Sequence, residues 1–314
     1  MSIFVSIASF CDPVLPFTIK EIVEKANKPD QLHLCVIDQS FETDTQTKLE
    51  IGPAKLSYCH IDPVQSQGCC WARSIAMSFF TGEDWFFQID SHMDFDQDWD
   101  KTLIEHTNRL MRGRKGIAIS AYPNPFVFEN GLPVKKFVCT TVLTQVVKPN
   151  SVFKNDCSQL SFEAHPFNTP YPVNGFQVAG GCLFAPGEIV NKIPYDPFLY
   201  FHGEEQSMSV RIFTQGWDIF HIPQLPVYHL YNNANGVSRP LHWDHSIDVK
   251  RTRKWFDKDK SSLYRLDCLL RRGHDLGAYG LGRERTIAEY SQFSGIDYIN
   301  KTLSAKAFAG PWRS

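Results

Sequence analysis

The stretch "FFQIDSHMDFDQDWD", from Phe86 to Asp100, places a short apolar run directly before a series of aspartates and one histidine. The run "WFFQID" has the length and the aromatic content of a buried strand. A strand that ends in so much negative charge is typical of a protein that binds a positive ion at that end. The stretch therefore predicts a strand whose carboxyl end lies at a ligand site.

The segments around this strand alternate between strand-like and helix-like patterns. We predict strands at "IFVSIAS", "LHLCVID", "KLSYCHID" and "GIAISAY", and amphipathic helices at "PFTIKEIVEKA", "GCCWARSIAMSFF" and "WDKTLIEHTNRLM". Strands that alternate with helices of this length form a mostly parallel sheet with helices on both faces. Because ligands of such sheets bind beyond the carboxyl ends of the strands, we expect the acidic stretch to lie in the binding site.

The second half of the chain is less regular. Residues 123–171 contain many prolines and an Asn130-Gly131 turn signal, which predicts a hairpin within a loose loop insertion. Regular patterns return with "FQVAGGCLFAPGEIV", the predicted helix "GEEQSMSVRIFTQG" and the predicted strands "WDIFHI" and "PVYHLY". We therefore expect a core over residues 1–235 and a helical C-terminal extension over residues 236–314 that packs on it.

The composition is that of a globular protein with little net charge. Of the 314 residues, 43% are hydrophobic and 21% are charged, and the formal net charge of −2 gives no general attraction to nucleic acid. The nine cysteines form no CxxC pair, which favours free thiols over a disulfide framework. Neither a transmembrane segment nor a signal peptide is predicted, so we expect a cytoplasmic protein without a nucleic-acid partner.

Asp90 and His92 are candidate metal ligands. Alternate residues of a strand share a face, and a carboxylate oxygen beside an imidazole nitrogen suits Mn²⁺ while leaving positions for a diphosphate. An EF-hand loop is excluded, because Phe95 replaces its turn glycine and His92 replaces an oxygen ligand. The alternative is structural: Asp90 caps the next helix, and residues 94–100 form a solvated turn with Asp98 as an N-cap.

Five further residues have both a functional and a structural interpretation. His229, in the strand-like "PVYHLY", is either a third metal ligand or a core histidine. Gly180 and Gly181 allow the backbone to approach a ligand, although a β-bulge would use them equally. Glu204 and Glu205 begin a predicted helix, where they either complement its N-terminal dipole or contact a sugar or acceptor hydroxyl. The residues alone leave these alternatives open.

Several enzyme classes are excluded by motifs that the sequence lacks. It contains no GxxxxGK[ST] phosphate loop and no GxGxxG after the first strand, which excludes P-loop nucleotide hydrolases and dinucleotide dehydrogenases. It also contains no GxSxG nucleophile elbow.

Several segments, taken together and in order, resemble the cytoplasmic hydroxyproline-polypeptide N-acetylglucosaminyltransferase family and its bacterial relatives. These segments are "SIASFCDP", "GCCWAR", "QIDSHMDF", "AGGCLFAPGEI", "FHGEEQSMSVRIFTQGWDIF", "VYHLY" and "YGLGRERTIAEYSQFSGIDY". More distantly, "DSH", "AGG" and the glutamate-containing helix resemble the polypeptide N-acetylgalactosaminyltransferases. The resemblance implies a GT-A type of α/β fold, which is a Rossmann-like mixed sheet flanked by helices, and a metal-dependent nucleotide-sugar transferase.

The resemblance also implies roles for individual residues. Asp90 and His92 would hold Mn²⁺ (or Mg²⁺) on the UDP diphosphate, with His229 as the third ligand. At the uridine, the resemblance implies contacts from Ala8 and Ser9, within the segment from Ser6 to Ser9, and from Asp38. Arg73 would contact the nucleotide or its phosphates, and Gly180 and Gly181 would lie beneath the donor sugar. Glu204 and Glu205, the candidate catalytic pair, would contact the sugar or the acceptor.

The expected function is metal-dependent transfer of a sugar, N-acetylglucosamine by resemblance, from a UDP-sugar to a hydroxyl group of a protein or glycan. Positioning of the substrates and stabilisation of the leaving UDP would supply most of the acceleration. The resemblance implies retention at the anomeric carbon. Two other functions are consistent with the residues: a non-catalytic nucleotide-sugar or carbohydrate binding protein, and a metal-dependent phosphoesterase, which needs a second metal near the first.

Overall fold

An eight-stranded mixed sheet forms the centre of the protein. The computed structural model describes residues 1–138, 140–154, 157–231 and 239–310. In spatial order the strands are Val173–Gly175 (β11), Asp218–His221 (β13), Ile117–Ser120 (β6), Cys182–Pro186 (β12), Trp85–Asp90 (β4), Ile3–Phe10 (β1), Leu32–Gln39 (β2) and Lys55–Ile61 (β3).

The parallel half of this sheet brings the carboxyl ends of β1, β2 and β4 together. β1 lies between β2 and β4 and pairs in parallel with both. Ala8 of β1 is opposite Ile37 of β2 and Asp90 of β4. Asp90 therefore lies at the edge of the sheet where ligands of parallel sheets bind.

β12 runs antiparallel between β4 and β6, and it gives the sheet its mixed character. Cys182 is opposite Ile89 of β4, and the backbone N–H of Asp90 donates to the carbonyl of Gly181 over 3.3 Å. This register brings Gly180 and Gly181, which precede β12, beside the end of β4. The predicted mixed α/β sheet is confirmed.

Helices cover both faces of the sheet. They are Leu15–Glu24 (α1), Cys69–Met77 (α2), Trp99–Leu110 (α3), Ile189–Lys192 (α4), Glu204–Thr214 (α5), His245–Asp248 (α6), Trp255–Leu270 (α7), Ile287–Ser294 (α8) and Ala305–Ala309 (α9), with 3₁₀ turns at Pro29–Gln31, Thr45–Lys48 and Gly277–Tyr279. Alternate residues of β1 enter different cores, since Val5 packs with α1 and α3, whereas Phe4 packs with α2, α5, α7 and α8. The predicted alternation of strands and helices is therefore present.

Two hairpins occupy the region where the sequence predicts loose loops. Asn124–Glu129 (β7) and Leu132–Lys135 (β8) form the first, and Val142–Val147 (β9) and Phe162–Phe167 (β10) form the second. The predicted Asn130-Gly131 turn joins β7 to β8, with φ values of 52° and 80°. Proline interrupts the alternating pattern in these strands, so the sequence is less strand-like than the structure.

The second sheet has the order Met93–Phe95 (β5), Val227–His229 (β14), β7 and β8.

The C-terminal helices pack on the helix that begins at Glu204. Leu266 of α7 and Tyr290 of α8 share a hydrophobic core with Met208 of α5, and Ile296–Asp297 (β15) pairs with Thr302–Leu303 (β16). The predicted boundary at residues 235 and 236 lies within 232–238, outside the described residues, so the division into core and extension stays a prediction. In the described part of the chain, no helix combines the length and hydrophobicity of a membrane span, and every cysteine is a free thiol.

Candidate active site

A cavity of about 650 Å³ lies at the carboxyl ends of β1, β2 and β4. This volume is typical of sites for small ligands. Its lining includes the strand-end residues Ala8, Phe10, Gln39 and Asp90, the glycines Gly180 and Gly181, the first residues of α5 (Glu204 and Glu205), and Leu241 and His242 from the C-terminal part. The ligand site that the sequence predicts at the strand ends coincides with this cavity.

The structure brings Asp90, His92 and His229 together on the cavity wall. His92 Nε2 lies 3.0 Å from His229 Nε2 and 3.8 Å from Asp90 Oδ2, and His229 Nε2 lies 3.2 Å from the same carboxylate oxygen. Asp90 ends β4, whereas His229 ends β14, which pairs with β5 immediately after His92. The backbone N–H of Leu230 donates to the carbonyl of His92 over 3.0 Å and fixes this approach.

Asp12, which the sequence interpretation missed, orients His92. Its Oδ2 lies 2.6 Å from His92 Nδ1 and accepts a hydrogen bond from Ser91 Oγ at 2.7 Å. Burial opposes ionisation of Asp12, but the hydrogen bonds from His92 and Ser91 hold the pKa of this carboxyl below its usual value. A proton on Nδ1 leaves the lone pair of Nε2 facing the cavity, which is the arrangement that metal-binding histidines use.

The cluster offers donors that suit a divalent cation. One carboxylate oxygen and two imidazole nitrogens all lie within 4.8 Å of one another, and Mn²⁺ accepts this mixture of ligands. Burial opposes ionisation of Asp90, but the hydrogen bond from His229 and the charge of Arg73 hold its pKa well below its usual range. Burial lowers the pKa of His229 to about 4, so its imidazole is neutral at pH 7 and can donate a lone pair. These residues therefore fit a metal ion of this class.

Arg73 lies in the cavity wall and binds two carboxylates. Its Nη2 donates to Asp90 Oδ1 at 2.8 Å, and its Nη1 donates to Glu204 Oε1. Glu204 also accepts hydrogen bonds from Tyr195 Oη at 2.8 Å and from Cys69 Sγ at 2.9 Å. The guanidinium predicted to face a nucleotide or its phosphates thus holds the acidic side chains in place, and such buried ion pairs are costly to break on one side.

Glu205 is held separately from Glu204. Its Oε2 accepts a hydrogen bond from Tyr122 Oη at 2.5 Å, and its Oε1 accepts one from the backbone N–H of Gly180 at 2.8 Å. Burial raises the pKa of Glu205 above its usual value. The two glutamates therefore share the start of one helix but have different surroundings: Glu204 is paired with a cation, and Glu205 with neutral donors.

The two glycines are required by the close approach of these side chains. A Cβ atom at Gly181 would lie 2.4 Å from Asp90 Oδ2, and one at Gly180 would lie 2.8 Å from Arg73 Nη1. Real Cβ atoms do not come this close to other atoms, so a larger residue would displace the acidic cluster. The structure thus gives a reason for the glycine pair. From the sequence alone, the two glycines were consistent either with close approach of the backbone to a ligand or with a β-bulge.

Of the residues expected at the uridine, only some line the cavity. Ala8 lines the cavity, but Ser9 and Asp38 are buried behind it. Asp38 accepts hydrogen bonds from Tyr58 Oη at 2.7 Å and Ser40 Oγ at 2.9 Å. Since neighbouring residues of a strand point to opposite faces, the lining is formed by the next residues along, Phe10 and Gln39.

His242 closes the same end of the cavity from the C-terminal part of the chain. Its ring lies 4.6 Å from that of Phe10, and its Nε2 lies 2.7 Å from Ser66 Oγ. Burial lowers the pKa of His242, so the ring is neutral at pH 7. No sequence signal distinguished His242, because its partners are remote in the chain.

The later aspartates of the acidic stretch do not join the cluster. Asp94 is buried and accepts a hydrogen bond from Lys25 Nζ at 2.6 Å, and Asp100 accepts one from the backbone N–H of Asn27 at 2.7 Å. Asp98 occupies the predicted N-cap position of α3 but accepts from Asn27 Nδ2 at 3.2 Å without capping the helix. The interpretation as a solvated turn is therefore wrong for Asp94 and Asp100, which tie this stretch to the end of α1.

Known structures share this fold. The solved structure of GalNAc-T7 with UDP, GalNAc and Mn²⁺ superposes with a TM-score of 0.60 at 14% identity, over 94% of this chain and 57% of its own. This likeness supports the GT-A type of fold, and the fold alone. The mannosyltransferase PcManGT from Pyrobaculum calidifontis, with GDP-Man and Mn²⁺, gives a TM-score of 0.46 at 13% identity over 82% of this chain and 62% of its own, too low for further argument.

Two sequence similarities were found, and they cover very different lengths of the chain. A segment of 112 residues, 35% of the chain, is 33% identical to the fructose-bisphosphate aldolase of Corynebacterium glutamicum, but it covers only 30% of that protein. The family described as Glycosyltransferase (GlcNAc) instead matches residues 2–52 and 46–300, which include every candidate residue of the cavity discussed above. An alignment of this extent decides the assignment: the chain is a member of the Glycosyltransferase (GlcNAc) family.

Proposed function

We propose that this glycosyltransferase moves N-acetylglucosamine from a UDP-sugar to a hydroxyl group of a protein or glycan, with retention at the anomeric carbon. The observation that carries the proposal is the cluster of Asp90, His92 and His229 at the strand ends of the family's fold. The description of the family supports N-acetylglucosamine as the sugar. GalNAc-T7, solved with UDP, GalNAc and Mn²⁺, supports a UDP-sugar donor and Mn²⁺ as the metal.

Within this family, we place the chain nearest to the hydroxyproline-polypeptide N-acetylglucosaminyltransferases and in the cytoplasm. The segments "QIDSHMDF" and "FHGEEQSMSVRIFTQGWDIF" support the relationship. The free thiols of the described cysteines are compatible with a reducing compartment.

Asp90, His92 and His229 are the residues that would hold the divalent ion, Mn²⁺ or Mg²⁺. Asp12 keeps the proton of His92 on Nδ1, and burial keeps His229 neutral, so both imidazoles present a lone pair. Arg73 holds the Asp90 carboxylate from the other side. A bound divalent cation would stabilise the negative charge of the departing diphosphate.

The donor nucleotide would lie at the end of the cavity that Ala8 and Phe10 line. Ser9 and Asp38 would support this end from behind, because both are buried. Gly180 would form the floor beneath the donor sugar, together with Gly181. This order along the cavity would bring the diphosphate beside the acidic cluster.

Neither glutamate at the start of α5 is placed as a free nucleophile. The Glu204 carboxylate is paired with Arg73, and the Glu205 carboxylate accepts hydrogen bonds from Tyr122 and Gly180. Both interactions favour a role in orienting the donor sugar or the acceptor. We therefore favour attack by the acceptor hydroxyl from the face of the leaving group, which retains the anomeric configuration, over a covalent intermediate on either carboxylate.

The pairing of the later aspartates with lysines argues against the alternative function of a two-metal phosphoesterase. It needs a second group of ligands within a few ångströms of the first, and the later aspartates of the stretch are the nearest candidates in sequence. Asp94 and Asp96 are paired with Lys25 and Lys135, over 2.6 and 2.7 Å. Their charges are thus neutralised within the chain.

The test is UDP release from a panel of UDP-sugars, with and without Mn²⁺. We expect release from UDP-N-acetylglucosamine that requires the metal and that falls by at least about 100-fold in Asp90→Ala, as the loss of a residue acting on the departing charge typically does. Asp96→Ala is the matched control, because Asp96 belongs to the same stretch but does not line the cavity. Metal-independent release, or equal rates in Asp90→Ala and the wild type, would reject the proposal.

A further inference from the structure

Two adjacent cysteines at the start of α2 belong to a second group of metal-ligating side chains. Cys69 Sγ lies 3.9 Å from Cys70 Sγ and 2.9 Å from Glu204 Oε2. The three ligand atoms all lie within 4.8 Å of one another. The two thiols have no role in the sugar transfer proposed above. Together, Cys69, Cys70 and Glu204 form the thiol cluster.

Hydrophobic packing accounts for Cys70 but not for Cys69. Cys70 is fully buried in the core beneath the sheet, where a free cysteine behaves as a small apolar side chain. Cys69 instead lines the cavity, and its thiol faces a carboxylate. Because Glu204 lines the cavity as well, an ion in solution has a path to the thiol cluster.

The spacing of the thiol cluster suits a tetrahedral ion with thiolate ligands. Two thiolates on one tetrahedral Zn²⁺ lie about 3.8 Å apart, because each Zn–S bond is about 2.3 Å long. The two sulfurs here are 3.9 Å apart. Glu204 Oε1 accepts hydrogen bonds from Arg73 and Tyr195, whereas Oε2 faces the sulfur of Cys69. The carboxylate is therefore held with one oxygen toward the thiols, which leaves a fourth position for water.

The surroundings favour the ionised thiols that a metal ion requires. Both cysteines lie in the first turn of α2, where the helix dipole stabilises thiolates. The hydrogen bond from Cys70 holds the pKa of the Cys69 thiol below its usual value against the effect of burial, and the charge of Arg73 contributes. Burial raises the pKa of Cys70, so a metal ion would have to displace that proton. A divalent ion and the Arg73 guanidinium would together balance two thiolates and one carboxylate.

We propose that the thiol cluster is a second metal site, which binds a thiophilic divalent cation of the Zn²⁺ class and inhibits the enzyme when it is filled. Thiolate ligands favour Zn²⁺ over Mn²⁺, whereas Asp90, His92 and His229 offer only oxygen and nitrogen. An ion on Glu204 would hold this carboxylate at the sulfurs and away from the sugar or the acceptor. The inhibition rests on the proposed function, but binding of the ion does not.

The first test needs no turnover. Cd²⁺, a spectroscopic substitute for Zn²⁺, is titrated into the reduced protein in excess Mn²⁺, and the ultraviolet charge-transfer absorption of Cd–thiolate bonds is followed. We expect the first equivalent of Cd²⁺ to produce this absorption in the wild type, and both Cys70→Ala and Cys69→Ser to reduce it and to raise the Kd at least about ten-fold, since even partners behind a metal ligand cost this much.

The matched control for this titration is Cys268→Ala. Cys268 is also a buried free thiol, but it does not line the cavity, so its variant should bind the first equivalent of Cd²⁺ as the wild type does. Cys69→Ser keeps a hydroxyl group that can donate to Glu204, and it therefore tests the site even if Cys70→Ala does not fold. Equal absorption and equal Kd in the wild type and the two cluster variants would overturn the site.

The second test measures inhibition of UDP release by Zn²⁺ at saturating Mn²⁺, with each variant compared with its own rate without Zn²⁺. We expect half-inhibition at a Zn²⁺ concentration that further Mn²⁺ does not change and that Cys70→Ala raises at least about ten-fold. Inhibition that Mn²⁺ relieves and Cys70→Ala retains would place Zn²⁺ at the Asp90 cluster and overturn the inhibitory role, as would bound Cd²⁺ without inhibition by Zn²⁺. Cd²⁺ binding in a protein that releases no UDP from any donor would support the site and reject the proposed function.

Discussion

At the scale of single residues, Asp12 is the side chain whose role is easiest to isolate. It contacts the imidazole of His92 at 2.6 Å but lies outside the Asp90, His92 and His229 cluster. We expect Asp12→Asn to weaken Mn²⁺ binding about ten-fold or more, because loss of a partner that orients a metal-binding histidine usually costs this much. Isothermal titration with Mn²⁺ measures the effect.

The control for Asp12→Asn is the same substitution at Asp98, which is outside the cavity lining and bonds only to Asn27 among its described side-chain partners. It should bind Mn²⁺ as the wild type does. A Kd for Asp12→Asn within two-fold of the wild type would mean that His92 keeps its orientation without this carboxylate.

The sequence indicates Asp90 and His92 as neighbours in the chain and His229 by resemblance, but it does not predict which side chains the fold pairs. Asp90 and His92 were found because both follow one apolar strand. The pairing of Arg73 with Glu204 spans 131 residues, and that of Asp12 with His92 spans 80, so no local pattern reports either. Ser9 and Asp38 are predicted at the uridine by resemblance, and strand alternation buries both side chains.

At the scale of elements, the local patterns predicted most strands and helices but not the sheet register. "IFVSIAS" and "LHLCVID" have the apolar continuity of strands covered on both faces, and both are strands in the structure. The antiparallel insertion of β12 between β4 and β6 was beyond prediction, because its pairing depends on contacts between distant segments. In β7 and β8, Pro125 and Pro133 weakened the strand pattern.

His221 at the end of β13 gives the main sheet a pH-dependent contribution to stability. It is fully buried, its Nδ1 lies 2.6 Å from the carbonyl of Ser120 on β6, and burial lowers its pKa from 6.5 to about 4. A lowered pKa means that the unfolded chain binds the proton more tightly. Stability is therefore full above pH 6.5 and falls as the pH drops toward 4, by about 3 kcal/mol from this residue.

The variant that tests this contribution is His221→Asn, whose amide can still donate to Ser120 but does not titrate. We expect its free energy of unfolding in urea to fall less between pH 7 and pH 4.5 than that of the wild type. His274→Asn, at an exposed position, is the control for a general effect of removing a histidine. Parallel pH profiles for the wild type and His221→Asn would contradict the assignment.

At the scale of the whole molecule, the cavity is assembled from segments spread over most of the sequence. β1 and β2 supply one end, β4 and β14 supply the acidic cluster, and His242 and Trp243 close the cavity from the C-terminal part. Segments from most of the chain therefore form a single cavity, although the acidic stretch alone indicated the position of that cavity. Ligand binding should consequently stabilise the molecule as a whole and not one segment.

This reasoning leads to a prediction about heat stability. A ligand that binds only the native state stabilises it by about 3 kcal/mol at 100 times its Kd, so UDP with Mn²⁺ should raise Tm by several degrees in calorimetry. Asp90→Ala should lose the increment that Mn²⁺ adds to UDP, because its carboxylate is one of the three clustered donors, whereas Asp96→Ala should keep it. An equal Mn²⁺-dependent rise in Asp90→Ala would place the metal elsewhere and would remove the link between the acidic strand end and donor binding.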